Sequence, residues 1–292
     1  MAGWSEVIPD IILSSLYMYL LIRLATSTDD YFKTPFFILF IATGVYSIIT
    51  VVGYHVMVQF PYNENFWTVC ILKPAYVSNN IGAVGSTLGK VYIAIHRYFV
   101  MRTRDLSERK WSRIVIVRLL LVQFVISLLL TAPVWFASYL YRNGDTSGVI
   151  VSLDTETTLV MKLISVITYA VYIVDNAIFT VLTSRELVRL KGLLEDNKET
   201  TRAIVLQQRN MFIIVTVCSV SHLVKALQQL AIAIVNSLGL IELQVAIRLW
   251  YPLVNGLATY ATPACLVLLS RNVRARLLLS RPISVDSSTS SS

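Results

Sequence analysis

Residues 36–58 read FFILFIATGVYSIITVVGYHVMV, a run with no acidic residue and no lysine or arginine. As an α-helix it is long enough to cross a hydrocarbon core of about 30 Å, which takes roughly 20 apolar residues. Six further runs flank it: Val7–Ala25, Val69–Val100, Ile114–Phe136, Leu159–Thr183, Met211–Val235 and Gln244–Leu269. Each reaches or exceeds the spanning length, and the third is long enough to tilt or to project beyond the bilayer. The expected fold is therefore an all-α membrane protein, a bundle of seven transmembrane helices filling residues 1–276. Residues 277–292 form a Ser/Thr-rich tail expected to be disordered. The first run lacks a basic leader, being flanked by Glu6 and Asp10, so it reads as a span and not as a cleaved signal.

Composition agrees. The chain has 292 residues, of which 55% are hydrophobic and only 14% charged, with a mean hydropathy of +0.66. A soluble domain carries roughly a quarter charged residues, so lipid must be the solvent for most of this surface. The seven spans leave short connectors and no room for a folded soluble domain of ordinary size.

The net charge of +8 would suggest nucleic acid in a soluble protein, but here the basic residues lie between apolar runs. With the amino terminus placed outside, the inner side holds Arg23, Lys33, Arg97, Arg102, Arg104, Arg109, Lys110, Arg113 and Arg118. It also holds Arg185, Arg189, Lys191, Lys198, Arg202, Arg209, Arg271, Arg274, Arg276 and Arg281. These are nineteen of the 25 basic residues, and cytoplasmic enrichment of Lys and Arg sets orientation. The default partner of these loops is the anionic inner leaflet. No nucleic-acid partner is expected, and nothing in the runs specifies an oligomer.

Several polar residues interrupt the runs. Counting about 1.5 Å of rise per residue from the inner end of each run puts His55 ~30 Å up and Asn79 and Asn80 ~25–27 Å up. The same count puts His222 and Lys225 ~20 and ~24 Å up, and Asn255 and Tyr251 ~24 and ~30 Å up. Polar groups at such depth usually face the bundle interior or a wet cavity, although each taken singly reads better as an interhelical hydrogen bond. As a group, His55, Tyr76, Asn79, Asn80, His222, Lys225, Arg248, Tyr251 and Asn255 are candidate ligand-binding residues in the outer half. His55, Lys225 and Arg248 suit an anionic ligand group by charge. Lys90 and Asp175 count to ~10 and ~15 Å above the inner end, and an unpaired charge there costs about 3 kcal/mol. They are expected to pair or to share a polar network that could hold an inactive state.

His96-Arg97-Tyr98 closes the third run. Its arginine reads either as an anchor reaching for headgroup phosphates or as a conformational switch. Cys70, Cys218 and Cys265 offer no loop pairing, and no disulfide framework is expected. His55, His96 and His222 lack metal-ligand spacing, and no phosphate loop or nucleophile motif appears. No cofactor, metal or enzymatic activity is therefore expected.

Two stretches carry a family resemblance. Ala94-Ile95-His96-Arg97-Tyr98-Phe99 resembles the polar-Arg-aromatic step that ends the third helix of nematode serpentine chemoreceptors. Residues 257–274, LATYATPACLVLLSRNVR, resemble their seventh-helix proline, aliphatic run and Asn-Val-Arg exit. The resemblance points to the serpentine receptor class gamma superfamily, within the seven-helix ground plan of G-protein-coupled receptors. It implies a chemosensory receptor of the plasma membrane, in sensory neurons or their cilia, with a small-molecule ligand and a heterotrimeric G protein as partners. It also implies switch roles for His96, Arg97 and Tyr98 beside Lys90 and Asp175.

Departures from the rhodopsin-like pattern are clear. His96 replaces the usual aspartate, the sixth run has no proline, and Asn255 and Pro263 do not form Asn-Pro-x-x-Tyr. The seventh run has no lysine for a retinal Schiff base. A seven-helix transporter or channel is the alternative reading. It calls for internal repeats or Gly/Pro-broken helices, and no repeat is visible while Gly and Pro are sparse.

Overall fold

In hydrocarbon a backbone amide finds no water, so each apolar run closes its own hydrogen bonds as a helix. The computed structural model describes residues 4–59, 66–102, 111–143, 149–153, 155–193, 198–238, 240, 243, 246–247 and 250–278. Seven long helices follow the seven runs: α1 (Trp4–Ala25), α2 (Pro35–Gln59), α3 (Phe66–Arg102), α4 (Arg113–Phe136), α5 (Thr155–Leu193), α6 (Lys198–Ser237) and α7 (Tyr251–Leu269). A short helix, α8 (Arg271–Leu278), follows α7. Among the described residues, six helices hold windows long and apolar enough to cross a membrane, and α3, at 37 residues, is long enough but more polar. The result is the seven-helix membrane bundle.

Polarity is distributed inside out. Leu16, Leu121, Leu129, Val171 and Leu257 project outward, whereas Thr43, Ser47, Thr50, Ser86, Gln123 and Asn255 are buried. A soluble protein would not expose so continuous an apolar surface, and lipid is its natural contact. Chain neighbours pack together (α1 on α2, α2 on α3, α3 on α4, α5 on α6, α6 on α7), α1 returns to α7, and α3 also packs on α5.

The α2–α3 seam is the closest. A Cβ on Gly82 would come within 2.7 Å of the Tyr46 carbonyl oxygen and the Thr50 amide nitrogen. One on Gly85 would meet the Tyr46 ring at 2.4 Å. Small residues let membrane helices approach to backbone contact, where packing replaces the absent hydrophobic drive. Gln123 of α4, fully buried, donates from Nε2 to the Gly85 carbonyl at 2.7 Å and ties α4 to the same stretch.

Four features differ from the sequence expectation. The basic segment 184–209, expected as a connector, is largely a continuation of α5 and α6, which run 39 and 40 residues. Its Leu, Arg, Lys and Glu are strong helix formers, so the helices extend past a bilayer's depth. The connector between α4 and α5 contains an antiparallel hairpin, β1 (Tyr139–Asn143) with β2 (Val149–Leu153), in which Tyr141 faces Val151. Helix α7 is bounded at Tyr251, with Pro252 in its first turn, while Leu243, Ala246 and Ile247 are also helical and Gln244 lies outside the described residues. The segment after Ser270 opens as α8 before residues 279–292, which lie outside the described residues together with most of the expected disordered tail.

The end of the bundle carrying the basic connectors is held by aromatic packing. Tyr31, Phe32, Phe36 and Phe37 stack edge-to-face or tilted at 5.0–5.3 Å around the α1–α2 corner. Asp29 accepts from the Tyr31 amide at 2.9 Å and pairs with Arg276 of α8, whose guanidinium lies over the Tyr31 ring. The Tyr31 amide, with Arg276 second, holds the Asp29 carboxyl below the usual carboxylate range.

Adding side-chain volume at the seam should cost stability. Gly82→Val should lower the unfolding temperature in detergent micelles, at a cost of about 1–3 kcal/mol. Gly256→Ala, where the nearest atom is Asp10 Oδ1 at 3.7 Å, should not. Equal losses for the two would contradict the seam's role.

Candidate functional site

Residues that cannot be solvated by lipid collect along the bundle axis in levels. At the end away from the basic connectors, His55 Nε2 sits 2.9 Å from Asp10 Oδ2, joining α2 to α1. The Tyr54 and Tyr251 rings pack at 5.1 Å between α2 and α7. Asn80 Nδ2 donates to the Tyr76 carbonyl of its own helix at 2.8 Å. His55 Nδ1 and Asn79 Oδ1 are buried with no hydrogen-bond partner among the described residues. Arg248 lies outside the described residues.

The middle level joins α3, α6 and α7. Lys90 Nζ lies 2.6 Å from His222 Nε2 and donates to the Ala258 carbonyl at 3.2 Å. His222 Nδ1 lies 2.9 Å from the Cys218 carbonyl, which can only accept. The network thus assigns the ring proton to Nδ1 and leaves Nε2 as acceptor for the Lys90 ammonium. Lys225 Nζ donates to Asn255 Oδ1 at 2.7 Å. Lys90, His222, Lys225 and Asn255 are all buried. A cavity of about 10 Å³ lies among Lys90, His222, Lys225 and the Ser47, Thr50, Ser86, Thr87 and Thr259 side chains.

Nearer the basic end, a second cavity of about 30 Å³ is lined by Phe36, Lys90, Arg97, Tyr172, Asn176 and Cys218, among others. The Arg97 guanidinium lies 3.9 Å from the centroid of the Phe36 ring, a cation–π contact between α3 and α2. Arg97 Nε and Asn176 Nδ2 are buried without a hydrogen-bond partner among the described residues. His96 packs edge-on against Trp111 at 4.7 Å. Tyr98 stacks on Phe179 of α5 at 5.8 Å and accepts from Arg102 Nη1 at 2.7 Å.

The expected Lys90–Asp175 pair is corrected: Lys90 meets His222, and no ion pair joins it to Asp175 among the described residues. The buried face of α5 is formed by Tyr169, Tyr172, Asn176 and Thr183, and Asp175 stands at its edge, half-exposed. Depth counts had also set Lys90 below His222, because they lacked a common zero. Asn210 Nδ2 donates to the Leu269 carbonyl at 2.9 Å, which fixes one level across α6 and α7. Arg97 shares its cavity with Ile214 and Leu266, about one turn (~5 Å) above that level. Lys90 therefore belongs with the outer cluster, and Arg97 lies inside the bundle and not at its rim.

Sequence reasoning passed over Ser47, Thr50, Ser86, Thr87, Thr259 and Gln123. Thr43, Thr50, Thr87, Ser127 and Thr131 bond carbonyls one turn back on their own helices, so single hydroxyls look bland. The available signal was their four-residue recurrence, Gln123-Ser127-Thr131 above all, which puts them on one face within an apolar run.

The contacts separate the two acceptors by mutation. His222→Leu, which deprives Lys90 of the nearer of its two acceptors, should destabilise the protein in detergent by about 1.5–3 kcal/mol. Asp175→Asn should stay within about 0.5 kcal/mol. The reverse order would restore the Lys90–Asp175 pair.

With the site described, comparison with known proteins adds the family. The sequence model of the family described as Serpentine type 7TM GPCR chemoreceptor Srv matches residues 6–282, nearly the whole chain. No curated protein matches the chain. The serpentine chemoreceptor resemblance is thus upheld, while the match is to Srv and does not confirm the gamma class. The family is one of chemoreceptors and not of enzymes, and its members are multi-pass membrane receptors. Seven helices, a polar axis closed off from lipid and a match from residue 6 to residue 282 agree: the chain belongs to the Srv family of serpentine seven-transmembrane chemoreceptors.

Proposed function

We propose that this receptor binds a small molecule between the helix ends away from the basic connectors and signals to a heterotrimeric G protein through the basic end. The charge distribution supports an outside amino terminus, a cytoplasmic basic end and insertion in the plasma membrane, with a sensory cilium as a fitting location. The single observation that carries the reading is the level structure of the polar axis. Groups with unused hydrogen-bonding capacity, His55 Nδ1 and Asn79 Oδ1, lie above a buried junction of α3, α6 and α7. Arg97 lies below it, held by an aromatic face and no carboxylate among the described residues.

A ligand can act on such a bundle only by binding one helix arrangement better than another. A ligand that satisfies Asn79 and His55 would bind most tightly when α2, α3 and α7 stand at one spacing. The junction would pass that preference to α3 and α6. The Arg97–Phe36 contact is worth about 0.5–2 kcal/mol. That is small enough for a ligand to offset, so Arg97 can exchange Phe36 for a G-protein contact when α3 moves.

The test is expression at the cell surface with a panel of G proteins, screened with volatile and water-soluble compounds. The expected result is ligand-dependent nucleotide exchange, abolished by Arg97→Ala at unchanged surface level. Asn79→Ala should shift the half-maximal concentration by about tenfold, as loss of one hydrogen bond of ~1.4 kcal/mol would. Phe36→Leu should raise basal exchange. Ligand-dependent ion or solute flux through the purified protein, with no exchange on any G protein, would overturn the reading.

A further inference from the structure

We propose that the cavity between α2, α3, α6 and α7 is a binding site for one small monovalent anion of halide size. The inference stands apart from the receptor reading, because it rests on charge and space alone.

Lys90 and Lys225 both line this cavity and both are buried. No carboxylate among the described residues lies within ion-pair distance of either. The acid on the neighbouring helix α1, Asp10, is already engaged by His55, and Asp175 stands half-exposed on α5. The groups these ammoniums do reach are neutral: His222 Nε2 and the Ala258 carbonyl for Lys90, Asn255 Oδ1 for Lys225. An ammonium carries three N–H donors. Lys90 therefore retains one and Lys225 two, beside a cavity they share.

Two like charges close together in a low dielectric repel and are costly to desolvate, and a single anion between them offsets both costs. The cavity wall adds hydroxyls. Ser47 donates to the Thr43 carbonyl at 3.1 Å and meets Ser86 at 2.8 Å, so those two protons are engaged, and Thr259 lines the wall beside them. Two ammoniums with unused N–H donors, beside the Thr259 hydroxyl and no carboxylate within ion-pair distance among the described residues, are a donor set for an anion.

Volume sets the ligand class. About 10 Å³ admits one water-sized occupant, so chloride, which is wider than water, enters only as the walls give by a few tenths of an ångström, and an oxyanion or an organic carboxylate would need far more room. The site also has a position from which to matter. Lys90 lines both this cavity and the lower one that contains Arg97, so an anion above Lys90 would fix its ammonium on α6 and α7. The anion would thereby stabilise one spacing of α3 against α6.

The experiment is a thermal unfolding series on the purified full-length protein in detergent, with chloride exchanged for gluconate at constant ionic strength. The expected result is a saturable rise of several degrees in unfolding temperature with chloride or bromide, and none with sulfate. A bromide anomalous peak, or broadening of the ³⁵Cl resonance by the protein, should place a halide there directly. Lys225→Met should weaken the apparent chloride affinity at least tenfold. Should that variant fail to fold, the wild-type halide series and the anomalous signal decide. Identical unfolding in chloride and gluconate would overturn the proposal, as neutral lysines in a dry cavity would give. An equal rise with sulfate, or a chloride response unchanged in Lys225→Met, would overturn it too.

Discussion

The structure depends on one constraint: lipid offers no hydrogen bonds, so every polar group on seven apolar helices must find its partner inside the bundle. The consequences reach from composition to function. Leucines and valines turn outward, hydroxyls bond carbonyls of their own helices, and the few strong polar groups gather on the axis. Because these groups cannot be scattered, they are stacked, and the stack runs from His55 and Asp10 through Lys90 and His222 to Arg97.

Close packing at the α2–α3 seam makes the stack possible. Gly82 and Gly85 let the Tyr46 and Thr50 backbone approach α3, and Gln123 holds α4 against the Gly85 carbonyl. With α2, α3 and α4 joined so tightly, the polar contacts of α3 with α6 and α7, through Lys90, His222 and the Ala258 carbonyl, lie on the other side. The boundary there combines a few polar contacts and two small cavities with the apolar packing of Ile93, Ile214 and Leu266. It is the natural place for a bundle with two arrangements, since cavities leave room for helices to shift.

The architecture was legible because hydrophobic length is a strong signal. Residues 36–58 admit no reading but a buried or membrane helix, and six similar runs multiply the argument. The membership of the axis was also legible in outline: His222, Lys225, Asn255 and Lys90 all stand out against apolar neighbours and all are buried. Their partners were not legible. Depth counted along separate helices has no shared origin, so Lys90 was set a turn too low and matched to Asp175, which sits at the edge of the buried face of α5. The basic segment 184–209 read as a loop because charge was weighed and helix propensity was not. Gly82, Gly85 and Gly89 were counted as sparse glycines, although their close spacing within one run marks a contact face.

The account centres on Lys90 giving its hydrogen bond to a neutral His222 across the α3–α6 boundary. Nitrogen-15 spectroscopy of histidine-labelled protein, with His55 and His96 assigned through their own substitutions, reads the state of that ring directly. The predicted spectrum at neutral pH shows His222 with its proton on Nδ1 and a bare, hydrogen-bond-accepting Nε2 that shifts in the Lys90→Met variant. A proton on Nε2, or no response to the loss of Lys90, would contradict it.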